Sequence, residues 1–85
     1  MTTSTRLRTA SNCLEIARQW EQDESGVYSL GTKYRKSLTA LLAAYNIYTE
    51  AVDSGEVKVL AVDMPRLRRE IQLTAVLLGG ETTSH

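Results

Sequence analysis

The sequence predicts a mainly α protein: a three-helix bundle with one short extended segment between helices two and three. Three observations predict it. Apolar residues recur at three- and four-residue steps along three separate stretches. Ser-Gly and Gly-Gly pairs punctuate those stretches. The one valine-rich run, Glu56 to Val62, lies between the second and third of them.

The first helix is predicted from about Thr5 to Asp23. Leu7, Ala10, Leu14 and Ala17 set its apolar stripe, and Cys13, Ile16 and Trp20 widen it. Ser4 or Thr5 can cap its start, and Ser25-Gly26 stops it. The connector GVYSLG, Gly26 to Gly31, reads as a loop or one very short strand. Val27, Tyr28 and Leu30 are expected to tuck against the core.

The second helix is expected from about Thr32 to Ser54. Tyr34, Leu38, Leu41, Tyr45, Tyr48 and Val52 follow a 4-3-4-3-4 spacing, flanked by Ala40, Ala44, Ile47 and Ala51. That face is wide enough for two neighbours. Its alanines admit a helix at about 8 Å between axes. Ser54-Gly55 ends it.

Glu56 to Val62 carries Val57, Val59 and Val62 and reads as a short strand or extended segment. A partner strand could come from GVYSLG or from another chain. The third helix runs from about Met64 to Leu78, with Asp63 at the N-cap and Pro65 in the first turn. Leu67, Ile71, Thr74 and Leu78 form one row; Leu73, Val76 and Leu77 form another. From Ile71 onward this helix is apolar nearly all round, as buried or interface helices are. Gly79-Gly80 is expected to terminate it, with 81–85 as a polar tail. Residues 1–4 form the opposite tail.

A chain of 85 residues allows one domain, spanning 1–85. So short a chain buries only about 60–65% of its unfolded surface, which leaves a thin core. Ten basic residues balance ten acidic ones, so overall charge argues for neither nucleic acid nor membrane. The single cysteine, Cys13, rules out an intrachain disulfide and a thiolate metal cluster within one chain. Residues 1–8 lack the apolar centre of a signal peptide, and Ala75 to Leu78 is far too short to span a bilayer. The expected location is cytoplasmic.

Chemistry finds little to use. The single histidine, His85, is at the end of the sequence. Cys13 lies on an apolar stripe with no histidine placed to activate it, so it reads as a core cysteine. Asp23-Glu24 lies at a helix end and reads as solvated charge. No phosphate loop, metal-ligand spacing or nucleophile motif is present. The expectation is therefore no enzyme, no catalytic residue, no cofactor, no metal and no small-molecule substrate.

Charge is arranged against the helix dipoles, with arginines and lysines in the first turns and acids at the ends. Antiparallel neighbours would pair these charges. The alternative is an anion site built from Arg6, Arg8, Arg66, Arg68 and Arg69, able to touch a nucleic-acid backbone. A helix-turn-helix is the weaker reading, because the connector before the third helix is not a three-residue turn. The expected protein–protein surface is Val57, Val59, Leu73, Val76 and Leu77, in a homo-oligomer.

Residues 41–78 carry a further pattern. A helix ending Ala51-Val52-Asp53-Ser54-Gly55 is followed by the extended Glu56 to Val62, the capped start Asp63-Met64-Pro65, and Leu67-Arg68-Arg69-Glu70-Ile71. This order resembles the head-completion (head–tail joining) proteins of lambda-type tailed phages. That family has a β-hairpin where this chain has room for one strand, and Thr5 to Gly31 has no counterpart in the pattern. The resemblance implies a virion subunit that joins in a ring at the portal vertex and helps connect head to tail.

Overall fold

A computed structural model describes residues 5–83 and shows three helices with no strand among them. They are α1 (Thr5–Glu21), α2 (Leu30–Asp53) and α3 (Met64–Thr83). The expected cap Ser4, the tail 1–4 and His85 lie outside the described residues.

The caps explain the boundaries. Ser29 Oγ accepts the Thr32 N–H at 3.1 Å, so α2 starts at Leu30, two residues before the expected Thr32. Ser54 closes α2, and Gly55 turns the chain at φ +80°, a region that favours glycine. Gly26 does the same after α1 at φ +76°. Asp63 Oδ1 accepts the Arg66 N–H at 3.1 Å, the expected N-cap of α3.

Two expectations about α3 and its approach are corrected. Gly79-Gly80 does not terminate α3, which continues to Thr83 and takes in the start of the expected tail. Glycine weakens a helix by about 1 kcal/mol, but it forbids nothing, and no proline follows to force a stop. Glu56 to Val62 forms bends and coil rather than a strand. The other short apolar connector, 26–31, lies at the far end of α2, whose 24 residues span roughly 36 Å. With no ladder available, the segment folds back onto the helices: Val57 N–H donates to the Ala51 carbonyl at 3.3 Å, and Leu60 and Val62 pack on the core.

α2 is the central helix; α1 and α3 each pack against it, and they do not pack closely against one another. Contacts fix both neighbours as antiparallel to α2. Arg6 at the start of α1 meets Glu50 near the end of α2, and Arg68 in α3 meets Tyr45. The α1–α2 seam is lined by small side chains: Ala10, Ala17, Ala40, Ala44 and Ala51 are buried. There Ser37 Oγ donates to the Ala17 carbonyl at 3.3 Å, so its buried hydroxyl is satisfied. Leu41 and Leu67 are the buried leucines, and Tyr48 is buried beside them.

The result is long and flat. The Cα framework measures 49 × 22 × 14 Å, with a radius of gyration of 14.3 Å, against about 12 Å for a compact chain of this length. Its accessible surface is 6071 Å², roughly 1,000 Å² above that of a typical monomer of this mass.

Candidate functional site

Large apolar side chains are exposed in three places. On α3, Leu73, Val76 and Leu77 are 60%, 71% and 41% exposed. The row Leu67, Ile71, Thr74 and Leu78 turns toward α2, which leaves the other row uncovered, as its spacing suggested. In the α2–α3 segment, Val59 is 87% exposed and Val57 is half-buried. At the opposite end, Val27, Tyr28 and Leu30 are also exposed. This corrects the expectation that they tuck into the core: the connector is too short to fold back, and α1 and α2 already fill their seam with alanines. Tyr28 instead packs edge-on against Trp20, with centroids 4.9 Å apart.

Because α1 and α3 do not close on each other, grooves open between them. One, of about 220 Å³, lies between the C-terminal half of α3 and the end of α1. It is lined by Leu73, Thr74 and Leu77, by Tyr34 and Ser37 of α2, and by the carboxylates of Glu21 and Glu70. Partial burial raises the Glu21 carboxyl above its ordinary range; the Glu70 charge adds to this, and Arg18 offsets some of it. A second groove, of about 240 Å³, holds Arg18 and Arg66 together with Leu14, Leu67 and Glu70. A third, of about 470 Å³, runs under the α2–α3 segment between Leu7, Leu14, Tyr48, Val57 and Leu60.

The five arginines singled out from the sequence do not form one anion site. Arg6 pairs with Glu50 at 2.7 Å. Arg68 donates to the Tyr45 hydroxyl through Nε and Nη2 at 3.2 and 3.1 Å. Arg66 sits 3.7 Å from Glu70, one turn on in the same helix. Arg8 and Arg69 are exposed and make no ion pair among the described residues. Charge pairing between antiparallel neighbours thus accounts for the start of α1. At the start of α2, Lys33 Nζ instead donates to the Asp23 backbone carbonyl at 2.9 Å, a hydrogen bond and not an ion pair. At α3 the partner of Arg68 is a tyrosine, which no charge count would suggest; 4-3-4 spacing did place Tyr45 with its hydroxyl at the rim.

Residues with reactive side chains are dispersed. Cys13 is a free, half-buried thiol on the α1–α2 side. It lies near Tyr48, whose hydroxyl is held above its ordinary pKa by burial first and by the Cys13 charge second. Among the described residues no group of three or more His, Cys, Asp or Glu is placed to hold a metal ion. No helix among them is long and apolar enough to cross a membrane. The sequence missed the acidic groove, because Glu21 and Glu70 are 49 positions apart and nothing local joins them. No protein-family model matches the chain, nor does any curated protein or any solved structure.

Proposed function

We propose that this protein is a non-enzymatic assembly subunit that associates with further copies of itself through α3 and the α2–α3 segment. The observation that carries this reading is the exposed row Leu73, Val76 and Leu77 on a helix whose opposite row already serves the fold. Exposed apolar side chains grouped on one helix face mark interaction surfaces.

The sequence pattern over residues 41–78 suggests a narrower version: a virion subunit at the head–tail junction of a tailed phage, although its β segment is bends and coil here. The resemblance carries that version, and the apolar surface is compatible with it. Sedimentation velocity over a concentration series tests the broader reading. Association that Val76→Glu abolishes, with helix content unchanged, supports it. A monomer at every concentration rejects it.

A further inference from the structure

We propose that the partner of α3 is the α3 of a second copy, laid antiparallel across it about a two-fold axis near Leu73. This rests on the assembly reading above and specifies its contact. Arg66, Arg69, Leu73, Val76 and Gly80 recur at 3-4-3-4 spacing and so lie on one face of α3, with Leu73 and Val76 as its apolar centre. Leu73 and Val76 on that face are 60% and 71% exposed. Among the described residues, a Cβ built on Gly80 meets no atom beyond its own helix backbone within 4 Å, so a neighbouring helix can approach closely there.

Charge selects the antiparallel sense. The groove beside that face holds Glu21 and Glu70 between Leu73 and Leu77. Burial, and then the Glu70 charge, raise the Glu21 carboxyl above its ordinary range. With the axis at Leu73, Arg69 of the second copy comes opposite Leu77, at the mouth of that groove. Arg69 is exposed and makes no ion pair among the described residues. The two-fold repeats the contact, so each copy's Arg69 meets the other's acidic groove. A parallel pair would instead set the arginines side by side.

The test uses the full chain in a Cys13→Ser background carrying one new cysteine, at Leu73 or at Val59, under mild oxidation. Cysteine at position 73 sits on the axis and is expected to cross-link to itself at least about tenfold faster than cysteine at 59. In sedimentation, Arg69→Glu is expected to weaken the dimer at least about tenfold, and adding Glu21→Arg to restore it. Circular dichroism of each variant checks that the helices persist, which these exposed positions should allow. An oligomer without self-cross-linking at 73, or one that cross-links faster at 59, overturns the antiparallel pair and leaves the assembly reading standing. A monomer at every concentration overturns both.

Discussion

Glu21 at the end of α1 and Glu70 in α3 line the same groove, and burial first and the Glu70 charge second hold the Glu21 carboxyl above its ordinary range. Both helices reach that position because each packs on α2 and neither packs on the other. The repulsion is a consequence of the gap.

Replacing Glu21 with Gln should therefore stabilise the monomer near neutral pH. Glu21 stays solvent-exposed, so the gain is at most about 0.5 kcal/mol. The folded-state pKa is raised, so the penalty is absent below the ordinary value of 4.5, grows as pH rises from there to the folded value, and is constant above it. Urea melts of the two proteins should separate at pH 7 and converge below about pH 4.

Tyr48 has the opposite exposure to solvent and the same sign of shift. It is 6% exposed, and burial with the nearby Cys13 charge raises its hydroxyl pKa above 10.0. Stability should fall in alkali as the unfolded tyrosine ionises first. Tyr48→Phe should remove part of that fall, read as thermal midpoints between pH 8 and 11.

Leu41 is fully buried between α2 and its neighbours. Leu41→Ala should cost about 3 kcal/mol, because alanines around it cannot move in to fill the space. Leu73→Ala, at a surface position, should cost the monomer less than about 0.5 kcal/mol. Denaturant titrations at low concentration compare them directly.

Gly79 is helical, and a Cβ there meets nothing within 4 Å. Gly79→Ala should stabilise α3 by about 1 kcal/mol or somewhat less. It lies off the Leu73–Gly80 face, so association should change little.

Helix positions were legible in the sequence wherever period and cap agreed. Asp63, Ser54-Gly55 and the alanine row all appear where their chemistry placed them. Gly79-Gly80 misled because a glycine pair marks a weak point in a helix, and a weak point is an end only when something else stops the chain. Val57 and Val59 misled because strand propensity acts only where another strand is in reach, and α2 holds the two connectors apart. The exposed row on α3 was visible as excess apolar surface; the acidic groove beside it was not, since it exists only once α1 and α3 are set on α2.

The central claim is that the uncovered face of α3 is an assembly surface, and its most direct test is the sedimentation coefficient of the wild-type chain against concentration, beside that of Val76→Glu. The account predicts a rise from monomer to oligomer for the wild type and a monomer throughout for the variant, with matching circular dichroism. Identical, concentration-independent monomers would contradict it.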